Sequence, residues 1–122
     1  IHNNGNVKES KVLVMGATFK ENVSDIRNSK VADVVKELSS FSLQVDVSDP
    51  FADSEELKHE YGFELVPEIG KDYDAVIVTV PHMPYRELSN DYFSSITKPG
   101  AMVADLKGIY RGKIEDRTYW SL

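Results

Sequence analysis

Gly16-Ala17-Thr18-Phe19-Lys20-Glu21-Asn22-Val23-Ser24-Asp25-Ile26-Arg27-Asn28-Ser29 joins two segments of opposite character. Val12-Leu13-Val14-Met15 runs into it, apolar at consecutive positions, the pattern of a strand covered on both faces of a parallel sheet. A helical pattern leaves it. Val31, Val34, Val35, Leu38 and Phe41 recur at intervals of three and four and make one apolar stripe, with Asn28 or Ser29 placed to cap its start. Strand, loop and helix in that order open a βα unit. In a parallel sheet such a loop lies at the carboxyl ends of the strands, where ligands bind. The helix that follows presents unpaired N–H groups to an anion.

The same alternation continues outward. Gln44 to Ser48 is a second short strand, closed by Asp49-Pro50 because proline cannot continue a ladder. Asp53-Ser54-Glu55-Glu56 resembles an acidic capping box and opens a short helix ending near Tyr61, with Gly62 as its stop. Phe63 to Val66 reads as a brief edge strand. Ala75 to Val80 is the most hydrophobic, β-branched run and is assigned as a central strand. Pro81-His82-Met83-Pro84 ends it, and Tyr85 to Ile96 holds one or two short helices. Lys98-Pro99-Gly100 reads as a turn before a fourth strand, Ala101 to Asp105, and the tail Tyr119-Trp120-Ser121-Leu122 is apolar enough to dock as a last strand. The expected fold class is α/β, with a mostly parallel sheet between helical layers on both faces. Residues 1–10, polar and without period, read as a linker, and residues 11–122 as one domain.

Composition narrows the function. The 122 residues suffice for one core, and 41% hydrophobic with 28% charged residues is ordinary for a globular chain. A net charge of −6 argues against non-specific binding of nucleic acid or anionic membrane, yet leaves room for a local basic pocket. With no cysteine there is no disulfide, thiolate metal site or cysteine nucleophile in this chain, and a reducing, cytoplasmic setting is compatible with that. No apolar run approaches the length of a membrane span. A first residue of Ile rather than Met points to a piece of a longer protein.

The candidate chemistry sits mostly in the first loop. Only Gly16 is present there, so the Gly-x-Gly-x-x-Gly fingerprint that lets a dinucleotide approach the backbone is missing. The loop offers side-chain charge instead. Lys20 and Arg27 suit phosphate oxygens, one as a point charge and one as a planar fork, and Phe19 can flank a base or sugar. An ordinary structural role stays open, with Arg27 paired to Asp25 or Glu21 and Phe19 in the core. Lys107 follows the fourth strand at the edge where Lys20 follows the first, so an anion fits between them. Asp49 ends the second strand where an acid for ribose hydroxyls could sit; without the fingerprint it reads as a turn cap. His82 is available as a general base, but nothing around it resembles a nucleophile, and a structural hydrogen-bonding role is the simpler assignment. His2, His59 and His82 lack metal-ligand spacing.

The loop, with its Phe-Lys-x-x-x-x-x-Asp-x-Arg pattern, resembles the C-terminal, UDP-binding domain of the UDP-glucose/GDP-mannose dehydrogenase family. Within that family the likeness is greatest to bacterial UDP-N-acetylhexosamine 6-dehydrogenases of surface-polysaccharide synthesis. Val45-Asp46-Val47-Ser48-Asp49-Pro50, Tyr73-Asp74-Ala75-Val76 with His82 beyond it, and Ala104-Asp105-Leu106-Lys107-Gly108 extend the likeness from about Lys11 to Leu122.

The resemblance implies a Rossmann-like, three-layer fold and a place in an enzyme of three parts. An N-terminal domain binds NAD, a central helical region dimerises and carries a catalytic cysteine, and the C-terminal domain binds the nucleotide of the sugar. Together they oxidise the C6 alcohol of a UDP-sugar to a carboxylate in two NAD-dependent steps through a thioester. By resemblance, Phe19 and Lys20 contact the UDP-sugar, Lys20 toward its phosphates. Lys107 matches a substrate-contacting basic position that is often arginine in the UDP-glucose enzymes, and Arg27 falls on a position associated with NAD across the domain cleft. The implied partners are a UDP-N-acetylhexosamine and the remaining domains of a homo-oligomeric parent. Without cysteine or fingerprint, the chain is expected to be inactive alone. The competing expectation is a non-catalytic interaction or regulatory domain that keeps the fold without the ligand.

Overall fold

A computed structural model describes residues 10–41 and 43–122. Five strands form one sheet: β1 (Lys11–Met15), β2 (Gln44–Ser48), β3 (Tyr73–Val78), β4 (Thr97–Asp105) and β5 (Thr118–Ser121). Their order across the sheet is β2-β1-β3-β4-β5, and every neighbouring pair is parallel. Helices α1 (Val31–Ser40), α2 (Ser54–Tyr61) and α3 (Asn90–Ile96) fill the connections, with a 3-10 turn over Met83–Glu87.

The consecutive apolar residues of β1 are explained by its place inside the sheet. Val12 and Val14 pack with Val31 and Val35 of α1 and Leu57 of α2, whereas Leu13 and Met15 pack with Tyr85, Phe93, Ile96 and Tyr110 on the other face. Successive side chains of a strand point to opposite faces, so a strand covered on both must be apolar throughout. The three-layer expectation is met, and β3 is indeed the central strand.

Local signals place most boundaries. Asp53 caps α2, its Oδ1 accepting from the N–H groups of Glu55 (2.9 Å) and Glu56 (3.1 Å). Gly62 ends that helix in the left-handed region, with φ of 85°. The start of α1 differs from expectation. Its N-cap is Lys30, with no side-chain cap, because Ser29 Oγ donates instead to the carbonyl of Ala17 (3.0 Å). Phe41, placed in the apolar stripe by spacing, is exposed because the helix ends at Ser40.

Two further segments depart from the sequence reading. Phe63 to Val66 forms no strand; one bond, from Val66 N–H to the Val47 carbonyl (2.8 Å), ties it to β2. Lys98-Pro99-Gly100 lies inside the bounds of β4. There the register jumps from Tyr73↔Thr97 to Ala75↔Met102, so the three exposed residues loop out of a ladder that then resumes. The expected 1–10 linker lies outside the described residues except for Ser10, which is buried and accepts from Gln44 N–H (3.0 Å). Among the described residues no helix is long and apolar enough to cross a membrane.

Candidate functional site

Parallel strands bring the exits of β1, β2, β3 and β4 to one edge, and the chemistry of the chain collects there. Gly16 turns the chain out of β1 with φ of 109°. Its N–H donates to the Ser48 carbonyl (2.8 Å). Thr79, just past β3, donates from its hydroxyl to the carbonyls of Met15 (2.9 Å) and Gly16 (2.7 Å). A side chain at position 16 has no room, since its Cβ would stand 2.8 Å from Val80 Cβ and 2.9 Å from Thr79 Oγ1. The single glycine of the loop therefore serves the close approach of the chain leaving β1 to the chain leaving β3.

Below the loop lies a buried polar pair. The side chains of Asp49 and His82 are both fully buried. Asp49 Oδ2 accepts from Ala17 N–H (2.7 Å) and His82 Nε2–H (2.8 Å), and Oδ1 accepts from Phe51 N–H (2.7 Å) and Ala52 N–H (2.9 Å). Burial pushes the Asp49 carboxyl up; His82 and the three backbone donors outweigh that and hold it below the usual carboxylate range. Asn22 N–H donates to His82 Nδ1 (2.9 Å), so that nitrogen is an acceptor and Nε2 carries the ring proton. The edges of Phe51 and Tyr85 close over the imidazole at 4.8 and 5.5 Å. Asp49 is thus a turn cap, as its sequence context indicated, and also the anchor of His82. His82 is walled off from any substrate.

Above this pair opens a groove of about 320 Å³, within the roughly 300–1,000 Å³ range of small-ligand sites. Phe19, Val31, Val34, Val80, Leu106 and Leu122 make its apolar surface, Thr18, Asn28 and Thr79 add polar groups, and Lys30 and Lys107 supply charge. Among the described residues no acidic side chain lines it. Among the described residues Lys20, Lys30 and Lys107 form no ion pair. A chain of net charge −6 thus places two ammonium groups, neither in an ion pair among the described residues, around one groove, the arrangement that attracts a small anion.

Of the residues singled out by sequence, Phe19 and Lys107 meet in this groove. Phe19 is 53% exposed rather than part of the core. Lys107 is held by the end of β4. Buried Asp105 accepts from Tyr110 N–H (2.7 Å) and the Tyr119 hydroxyl (2.6 Å), and Gly108 N–H returns to the Asp105 carbonyl (3.2 Å). Burial, reinforced by Asp105, pushes the Tyr119 hydroxyl up to about 12, so it remains a donor at ordinary pH. Lys20 is exposed in the same loop but does not line the groove. Arg27 lies outside the lining too, and its Nε and a terminal nitrogen each sit 3.0 Å from Asp25, a fork matched to a carboxylate. Lys30 was not legible from the sequence. It falls off the apolar stripe, and only its place one residue before the helix marked it. Among the described residues no cluster of His, Asp and Glu could hold a metal ion.

Comparison with known proteins shows the family of the chain. Residues 13–112 match the model of the UDP-glucose/GDP-mannose dehydrogenase family, UDP binding domain. The chain is 41% identical over 112 residues to the UDP-N-acetyl-D-glucosamine 6-dehydrogenase of Salmonella typhi, covering 91% of itself and 26% of that protein. It is also 41% identical over 105 residues to Protein CapL of Staphylococcus aureus, covering 84% of itself and 24% of that protein. The UDP-N-acetyl-mannosamine dehydrogenase Cap5O of Staphylococcus aureus superposes with a TM-score of 0.73 at 25% identity, over 92% of this chain and 26% of that one. The fold is shared with the NDP-N-acetyl-D-galactosaminuronic acid dehydrogenase of Methanosarcina mazei Go1 (TM-score 0.78, 20% identity, 97% of this chain and 25% of that one). The chain spans about a quarter of the length of these relatives. It belongs to the UDP-glucose/GDP-mannose dehydrogenase family and carries that family's UDP-binding domain.

Proposed function

We propose that this domain binds the nucleotide of a UDP-sugar in the groove between the β1–α1 loop and the exit of β4, as the substrate-binding part of an NAD-dependent UDP-sugar 6-dehydrogenase. One observation carries the reading: among the described residues Lys30 and Lys107 form no ion pair and border a groove that no acidic side chain lines, beside the exposed ring of Phe19. A diphosphate suits the two ammonium groups, and a uracil or ribose face suits the ring. Lys20, exposed in the same loop and in no ion pair among the described residues, is the further cation proposed for the phosphates. The 41%-identical UDP-N-acetyl-D-glucosamine 6-dehydrogenase supports a UDP-N-acetylhexosamine as the substrate. The setting is cytoplasmic, where nucleotide sugars are made, and the parent enzyme is a homo-oligomer.

NAD would serve the parent enzyme as hydride acceptor for oxidation of the C6 alcohol. This chain fits that cofactor only as an edge contact. Gly16 is packed against Val80 and cannot cradle a pyrophosphate, and the loop has no further glycine. Arg27 is the residue proposed to reach it, because its side chain is 83% exposed, held in orientation by Asp25, and lies outside the groove's lining. Lacking a cysteine and the glycine fingerprint for a dinucleotide, the chain binds without turning over.

Calorimetry of the 122-residue chain tests the reading. UDP binds the wild type, and Lys107→Ala and Lys20→Ala each weaken it roughly tenfold, the loss expected for one charge-assisted contact to phosphate. A wild-type chain that gives no heat with millimolar UDP overturns the site, and a Lys20→Ala variant equal to wild type removes Lys20 from it. NADH production from a UDP-sugar by this polypeptide would contradict its inactivity alone.

A further inference from the structure

The structure assigns His82 a positioning role in ligand binding, with its two ring nitrogens doing separable jobs. Nε2–H satisfies Asp49 (2.8 Å) and thereby belongs to the stability of the sheet edge. Nδ1 accepts Asn22 N–H (2.9 Å) and thereby sets the shape of the loop that carries Phe19 and Lys20. The inference rests on the groove being the UDP site proposed above.

Asn22 is the point where that loop reverses. Its φ is 62°, a left-handed conformation that asparagine tolerates but that persists only when its surroundings impose it. Two bonds do so, and both come from the stretch after β3. His82 Nδ1 receives the Asn22 N–H, and Asn22 Oδ1 receives Met83 N–H at 2.6 Å. Ala17 N–H on Asp49 (2.7 Å) and the Tyr61 hydroxyl on the Ile26 carbonyl (2.6 Å) pin the two ends of the loop, and between them the other ties are internal: Phe19 N–H to the Asp25 carbonyl (2.7 Å) and the Thr18 hydroxyl to the Lys20 carbonyl (2.8 Å). Thr18 Oγ1 also lies 3.2 Å from Nε2, farther than Asp49, and its bond to Lys20 does not depend on the imidazole. Nδ1 of a fully buried ring is therefore the fixed acceptor against which the loop is hung. Losing it leaves the fold in place and makes the ligand order the loop on binding, which weakens affinity.

Asparagine and glutamine separate the two jobs. Asn carries a carbonyl oxygen where Nδ1 stood and has no atom at Nε2. Gln reaches the Nε2 position with an N–H donor and has no acceptor at Nδ1. His82→Asn is expected to lower the melting temperature yet bind UDP within twofold of wild type. His82→Gln is expected to melt closer to wild type yet bind UDP roughly tenfold more weakly. Wild-type affinity in His82→Gln overturns the assignment, as does equal weakening in both variants. If His82→Asn does not fold, His82→Gln against wild type still decides. If the wild type does not bind UDP, the groove's function fails separately. The positioning role is then read from the Asn22 amide, whose hydrogen exchange is expected to stay slow in His82→Asn and become fast in His82→Gln; slow exchange in both variants overturns it.

Discussion

Replacing Asp49 by alanine is expected to destabilise the domain by about 4 kcal/mol or more, through four donors that lose their only strong acceptor. Ala17, Phe51 and Ala52 N–H and His82 Nε2–H all end on this carboxylate. The bonds of Ala17 and His82 are buried and those of Phe51 and Ala52 part-buried; a donor left unsatisfied in a buried setting costs about 1–3 kcal/mol and a partly solvated one less, against a total stability of about 5–15 kcal/mol for a domain. Asp49→Asn should fall between. One oxygen can still serve Phe51 and Ala52, but the amide NH2 then faces the donors of Ala17 and His82. Urea unfolding measures both variants, and an alanine variant within about 1 kcal/mol of wild type would sink the account. The same carboxylate makes stability depend on acid. Its folded value is depressed, so its contribution is complete above the unfolded value of about 3.9 and is lost as pH falls through the folded one. The wild type's advantage over Asp49→Asn should therefore be constant near neutrality and shrink below about pH 4.

Gly16→Ala is expected to be nearly as damaging, though it adds only a methyl group. The new Cβ would lie 2.8 Å from Val80 Cβ and 2.9 Å from Val80 N, one of them backbone and both held inside the sheet edge. The φ of 109° adds strain that no L side chain avoids. Overpacking costs about 1–3 kcal/mol and the backbone strain about 1–3 kcal/mol, so a loss of roughly 3 kcal/mol is expected. For a domain of this size that lowers the melting temperature by about 10 °C or more. Gly112→Ala is a control, because its φ is also positive but nothing lies within 4 Å of its Cβ. A Gly16→Ala variant that melts no lower than Gly112→Ala would show that the contact with Val80 relaxes freely.

Much of the fold was legible because strands buried on both faces announce themselves. Val12 to Met15 and Ala75 to Val78 have no polar face to confuse the period. Asp53 and Gly62 mark the ends of α2 by local chemistry alone. The misreadings have local causes too. Lys98-Pro99-Gly100 carries turn residues and does loop out, but whether a ladder resumes around it depends on β3, not on the segment itself. Phe41 keeps the helical spacing while the helix stops one residue short. In the site, Arg27 and Asp25 were readable as neighbours two apart. The bond of His82 to Asp49 spans 33 residues and its bond from Asn22 spans 60, so neither has a spacing to recognise. Lys30 became visible only once the exits of β3 and β4 supplied the rest of its groove.

The long spans of those bonds bear on how the molecule matures. Ala17 reaches Asp49 across 32 residues, Asn22 reaches Met83 across 61, and Thr79 reaches Gly16 across 63. No hairpin or single βα unit contains enough of the edge to form it early. Loop-closure entropy must be met for several crossovers before any of these bonds is rewarded, which makes such contacts slow to appear. Contacts of this span are expected to form late, once the strands they join have paired. A ligand that recognises this edge binds only chains that have completed the sheet, and by mass action it draws the population toward that state, adding stability as RT ln(1 + [L]/Kd). A nucleotide held there as proposed would in this way add to the stability of the finished sheet edge.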